Sequence, residues 1–241
     1  MRKYFENITG IATGSDMVMK FCPNIALQFC GFKAEGIVDS RAWIKKSHYP
    51  FTTPFQQGFQ GDYSLICTRN PLDCAPSYFF LIYSLTHVES YVPCLLRDDV
   101  IEYWKFFYKK VIDSWVQWHH YWIKQAEMGK PVFFFRFEDI LDSPKQHLRN
   151  LMGFILGMTD EEMNGTVVER RIEEVIALGA KSTQVYKPKS TGTNKNLKHY
   201  TQEMIEYAKE KAGDLLHIFG YVDVDESFVG ENKNYCRTPF F

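Results

Sequence analysis

The run YSLICT at residues 63–68 carries no charge until Arg69, and Pro71 with a helical pattern follows at once. An apolar run without polar alternation is what a strand buried on both faces requires. A strand leading directly into a helix is the repeating unit of a parallel sheet with crossover helices. Two further strand candidates are residues 41–46 (RAWIKK), a short run that ends at Ser47, His48, Tyr49 and Pro50, and residues 131–137 (PVFFFRF), which end at Glu138 and Asp139. The chain is therefore expected to be one α/β domain over residues 1–241. No internal repeat, low-complexity segment or Pro/Ser-rich linker divides it.

Helical periodicity fills the intervals. Pro71, whose missing N–H is an orphan in a first turn anyway, predicts a helix over 72–85. The spacing of Ile101, Trp104, Tyr108, Val111, Trp115, Trp118 and Trp122 predicts a long helix over 98–127 with one aromatic face, a stripe expected to be core. Ser143, Pro144 and Gln146 suggest a capping-box start for a helix over 144–156, with Gly157 as its stop. Helices are also expected over 169–178 and over 202–219, the latter capped by Thr201. RKYFENI already reads as the continuation of a helix, so the chain is expected to open inside a structural element.

Charge narrows the function. The 28 Lys and Arg balance 29 Asp and Glu to a formal charge of −1, so no overall positive field favours nucleic acid or anionic lipid, and any anion must be held locally. Six cysteines fall in no CxxC or Cys/His metal spacing, and they read as reduced thiols. No stretch offers the roughly 18 uncharged apolar residues of a membrane span.

In open parallel sheets, ligands bind at the carboxyl ends of the strands. At the first such end, Lys46 and His48 sit two residues apart, so an extended backbone projects both to one side. A Lys that neutralises a phosphate oxygen beside a His that takes a hydroxyl proton is what transfer to an alcohol needs, although both fit an ordinary surface turn as well. At the second end, Arg69 leaves the strand and Ser77 follows eight residues on, so both could reach one anion near a helix start. The competing reading is a loop ion pair between Arg69 and Asp73. A third feature is the polar segment 181–200, where Lys181, Lys187, Lys189, Lys195 and Lys198 surround Gly192. It reads either as solvated charge or as a lid over a polyanionic ligand.

These residues resemble a family. KSHYP resembles the K-T-H-x-P segment of the sulfotransferases that depend on 3′-phosphoadenosine 5′-phosphosulfate (PAPS), and TRNPLDCAPSYFF resembles their R-x-P-x-D-x-x-x-S-x-x motif for the 3′-phosphate. VFFFRFEDILDSPKQHLRNLMGFILG is similar to the strand, Glu-Asp turn and helix that follow in the same fold. ITGIATGSD and GFKAEG resemble the protist and WSC-domain-containing branch. The resemblance implies a three-layer α/β/α, P-loop-like fold around a central parallel sheet. It implies PAPS as cosubstrate without a metal, and a small-molecule or glycan hydroxyl as acceptor. His48 would be the general base, Lys46 the partner of the leaving phosphate, and Arg69 and Ser77 the holders of the 3′-phosphate. Lys189 and Gly192 would be approximate counterparts of the family's carboxy-terminal Arg-Lys-Gly donor clamp. The compartment stays open between cytoplasm and Golgi lumen, and the oligomeric state is not indicated.

The sequence departs from that family at its front. The family's first strand and its Y-P-[KR]-[SA]-G-[NT]-T loop, which cradles the 5′-phosphosulfate, have no counterpart in residues 1–241. The expectation is of a chain that opens just after this loop, leaves a sheet edge uncovered and holds donor weakly. Charge-assisted hydrogen bonds contribute about 1.5 to 3 kcal/mol each. The alternative function is then a sulfotransferase-like nucleotide-binding module without catalysis. A P-loop nucleotide kinase is disfavoured, because there is no G-x-x-x-x-G-K-[ST].

Overall fold

The computed structural model describes residues 1–18, 22–84, 95, 100–178, 196 and 199–221. It is an α/β chain that divides into two compact units, Met1–Asp62 with Leu148–Val185, and Tyr63–His147 with Tyr186–Phe241.

In the first unit, helix α1 (Arg2–Thr9) buries Phe5 and Ile8. Strand β1 (Gly14–Ser15) follows and pairs in parallel with β2 (Lys45–Lys46), Gly14 opposite Lys45 and Ser15 opposite Lys46. Gly14 has a steric reason: a Cβ there would lie 2.1 Å from the Ile37 carbonyl oxygen. Helix α2 (Cys22–Phe29) lies between the two strands in sequence. The strand expected over 41–46 is reduced to its last two residues, because Arg41 folds back on Asp39. Its backbone N–H, Nε and Nη2 all donate to the Asp39 carboxylate, and the Asp39 carbonyl accepts the Ala42 N–H. That local turn competes with pairing.

Helix α6 (Pro144–Leu156) enters this unit at Leu148 and ends at Gly157, whose φ of 67° is the left-handed stop expected from the sequence. The short helix α7 (Asp160–Met163) starts on a capping box formed by Thr159 and Glu162. Helix α8 (Val167–Leu178) is tied to α1 by Arg171, which donates to the Ile8 carbonyl at 3.0 Å. Arg149, 6% exposed, joins the ends of these helices. It donates to the Asp160 carboxylate (2.8 Å) and carbonyl (2.7 Å), to the Asn164 amide oxygen (3.0 Å) and to the Glu169 carboxylate.

The second unit holds the two better-developed strands, β3 (Ser64–Thr68) and β4 (Val132–Arg136), paired in parallel from Ser64 opposite Val132 to Thr68 opposite Arg136. Among the described residues β3 is paired along one edge only. The helices here are α3 (Pro71–Ser84), α4 (Ile101–Glu127), α5 (Phe137–Asp142) and α9 (Gln202–Ile218). The expected Glu-Asp turn after β4 is the first turn of α5, where both carboxylates face a positive helix end. Thr201 caps α9 through the Met204 N–H, as expected.

The aromatic stripe of α4 is core. Trp104 and Tyr108 are buried in one hydrophobic cluster and Trp115 in another, against which Trp118 and Trp122 pack. Pro76 sits inside α3 and cannot donate to the Leu72 carbonyl one turn back. The buried Tyr200 hydroxyl fills that vacancy at 2.6 Å. The polar ends of Trp104 and Tyr108 likewise reach backbone carbonyls, of His199 (2.7 Å) and Met204 (2.8 Å).

Candidate active site

In the first unit, the end of β2 brings Lys46 and His48 together, with Nζ 2.9 Å from Nε2. An ammonium can only donate, so Nε2 accepts, and the imidazole is neutral with its proton on Nδ1. Both residues keep solvent-accessible surface, yet each is closely surrounded by protein. Burial accordingly pushes the Lys46 ammonium below its ordinary value, against the opposing pull of Glu35 and Asp16. His48 is lowered too, by burial first and by the Lys46 charge second, with Asp16 acting the other way.

Behind this pair lies a carboxylate that the sequence reading did not single out. Asp16 follows β1, and its Oδ2 accepts the Ser47 hydroxyl (2.6 Å) and the Gln56 amide (2.9 Å). Its backbone N–H donates to the Lys46 carbonyl (3.1 Å), and its carbonyl accepts the Gln57 N–H (2.6 Å). Glu35, also buried, is held by Arg2 at 2.8 Å. No local pattern marks Asp16, because its side-chain partners stand 31 and 40 residues away.

In the second unit, Arg69 at the tip of β3 is half-buried, and its guanidinium lies over the Phe137 ring, 5.1 Å from the centroid. The ion pair with Asp73 weighed from spacing is not formed among the described residues. Asp73 accepts the Asn196 N–H (3.3 Å), and its carbonyl takes the Asn196 amide (3.4 Å). Asn70 caps α3, its side-chain oxygen accepting the Leu72 N–H (2.9 Å) and its carbonyl those of Asp73 and Cys74. Its own N–H donates to Glu138 at 3.0 Å, and the other Glu138 oxygen holds the Tyr221 hydroxyl at 2.8 Å. Ser77 is exposed in the second turn of α3.

The strand end is braced from below by His119, 2% exposed. Its Nδ1–H donates to the Trp115 carbonyl (2.7 Å), which leaves Nε2 to accept the buried Thr68 hydroxyl (3.1 Å). Burial lowers this imidazole to about 4.

Lys189 and Gly192 lie outside the described residues, as do Lys181, Lys187, Lys195 and Lys198. Among the described residues no group of three His, Cys, Asp or Glu side chains could hold a metal ion, and no helix is long and apolar enough to cross a membrane.

A family model for the sulfotransferase domain matches residues 29–217. No curated protein and no solved structure matches the chain. The matched stretch takes in Lys46, His48, Arg69, Ser77, Lys189 and Gly192, and it spans well over half of the 241 residues; the chain belongs to the sulfotransferase domain family.

Proposed function

We propose that the protein transfers a sulfuryl group from PAPS to an acceptor hydroxyl. The observation that carries this reading is the Lys46–His48 pair at 2.9 Å, within a chain of the sulfotransferase domain family. His48 Nε2 takes the proton of the acceptor hydroxyl as its oxygen attacks sulfur. The bond between sulfur and the bridging oxygen of the phosphosulfate breaks, and adenosine 3′,5′-bisphosphate leaves carrying that oxygen. Lys46 neutralises the charge that builds there. The resting contact implies an order of events, since Nε2 is occupied by the ammonium until Lys46 turns to the donor phosphate.

Arg69 and Ser77 are the proposed ligands of the 3′-phosphate. Support comes from a guanidinium at a strand tip that stacks on Phe137 and has no carboxylate partner among the described residues. Lys189 and Gly192 are the proposed donor clamp, and a three-layer α/β/α arrangement is the architecture that goes with this reading. The uncharged run 49–60 after His48, with Tyr49, Phe51 and Phe55 exposed, supports an uncharged acceptor such as a glycoconjugate hydroxyl.

The alternative, for a protein in which the family's Y-P-x-S-G-x-T loop is truly lacking, is a nucleotide-binding module that does not catalyse transfer. Incubation with ³⁵S-labelled PAPS and a panel of phenolic and sugar alcohols tests the two. Label in an acceptor supports transfer, whereas binding of adenosine 3′,5′-bisphosphate without labelled product supports the module. Genomic sequence upstream of Met1 adds a check, because an in-frame codon run for that loop favours the enzyme.

A further inference from the structure

Asp16 is 3% exposed, and one of its two carboxylate oxygens, Oδ1, has no hydrogen-bond partner among the described residues. A carboxylate so far from water is retained against a desolvation cost, which asks what it does there. Among the described residues, every hydrogen bond it makes is with residues 46–57, the segment around the proposed base. The backbone N–H holds the Lys46 carbonyl, Oδ2 holds the Ser47 hydroxyl, and the remaining bonds hold Gln56 and Gln57, which bring the chain back beside residues 16 and 17. Ser47 in turn accepts the Tyr49 N–H at 2.9 Å, so one hydroxyl links the buried carboxylate to the backbone on the far side of His48.

Ser47 is the single residue between Lys46 and His48. In an extended run its side chain faces away from theirs, so Asp16 grips the strand end from behind and leaves the basic pair facing outward. We infer that Asp16 is a positioning residue for His48: acting through Ser47 it fixes the imidazole beside the Lys46 ammonium, and it supplies the buried negative charge that faces both basic groups. The inference rests on the proposed role of His48. Its electrostatic side agrees with the geometry, because Asp16 favours the charged form of each basic group. The other charges that face them are Lys46 for His48, and Glu35 and Arg2 for Lys46.

The test reads His48 directly. The chain is labelled with ¹³C at the histidine Cε1, and the His48 signal among seven histidines is assigned from its loss in His48→Gln. Removing a negative charge disfavours the imidazolium, so Asp16→Asn is expected to move the His48 midpoint to lower pH, with the remaining histidines unmoved. A folded Asp16→Asn protein whose His48 midpoint is unchanged would overturn the inference.

Should Asp16→Asn not fold, Ser47→Ala cuts the link and keeps the charge. The ¹⁵N shift of the unprotonated Nε2 is then expected to move toward that of an acceptor without a donor. An unmoved shift contradicts the positioning role. The titration needs no turnover, so it separates this inference from the functional reading. If the acid limb of kcat/KM stays in place in Asp16→Asn while the NMR midpoint falls, it is the assignment of His48 as base that fails.

Discussion

The ammonium of Lys46 donates to Nε2 of His48 at 2.9 Å, which places the lone pair that would accept an acceptor proton under the group that would meet the donor phosphate. The two roles are therefore linked through one hydrogen bond, and the charge on Lys46 should be legible in the titration of His48. Lys46 lowers the His48 imidazole, so Lys46→Met, which deletes the positive charge, is expected to raise its midpoint. An NMR titration of the labelled protein checks this, and an unchanged midpoint would mean that the two groups do not interact in solution.

Arg69 is expected to separate binding from folding. Its guanidinium stacks on Phe137 and has no carboxylate partner among the described residues, so Arg69→Ala should leave the melting temperature nearly unchanged. The same change should weaken adenosine 3′,5′-bisphosphate binding about tenfold to a hundredfold, the equivalent of one charge-assisted hydrogen bond. Calorimetric titration of wild type and variant measures it.

Arg149 should behave in the opposite way. It is buried and holds Asp160, Asn164 and Glu169, so Arg149→Met would leave acidic groups near the protein interior without their cation. A loss of about 3 kcal/mol is expected, at the low end for a buried pair because Asp160 is largely exposed. Denaturant unfolding of wild type and variant measures the difference, and an unchanged midpoint would show that the cluster contributes little.

His119 predicts a pH dependence of stability. Its imidazole is held neutral in the fold at about 4, against an ordinary value near 6.5 in the unfolded chain. The unfolded state therefore binds the extra proton between about pH 6.5 and about pH 4, and stability falls as the pH drops through that window. His119→Gln, which can still donate to one neighbour and accept from the other, should flatten this part of the profile. Urea midpoints measured at several pH values across the window test it.

Much of the frame could be read from the chain. The limits of β3 and β4 were legible because the uncharged run of β3 ends abruptly at Arg69, and the apolar run of β4 stops at Arg136, just ahead of the acidic pair Glu138–Asp139. Trp104, Tyr108 and Trp115 fall at helical spacing and are buried, and Thr201 and Gly157 mark real helix ends. Strand β1 was not legible, since two residues carry no periodicity and Gly14 is there for a close approach to Ile37.

The site divides in the same way. Lys46 and His48 stand two apart, so local geometry brings them together. Asp16 meets Ser47 and Gln56 only through the fold, and Glu138 reaches Asn70 across 68 residues. The Asp73 pairing weighed for Arg69 gave way to Asn196, a partner from 123 residues on that no local pattern announces.

The account stands most directly on His48 as the base. In a polypeptide that carries the family's phosphosulfate loop ahead of residue 1, rates of ³⁵S transfer from PAPS are to be compared between wild type and His48→Ala, with adenosine 3′,5′-bisphosphate affinity measured on both. Loss of a general base is expected to lower kcat by at least about a hundredfold, with nucleotide affinity nearly unchanged. Full transfer activity in His48→Ala would contradict the account.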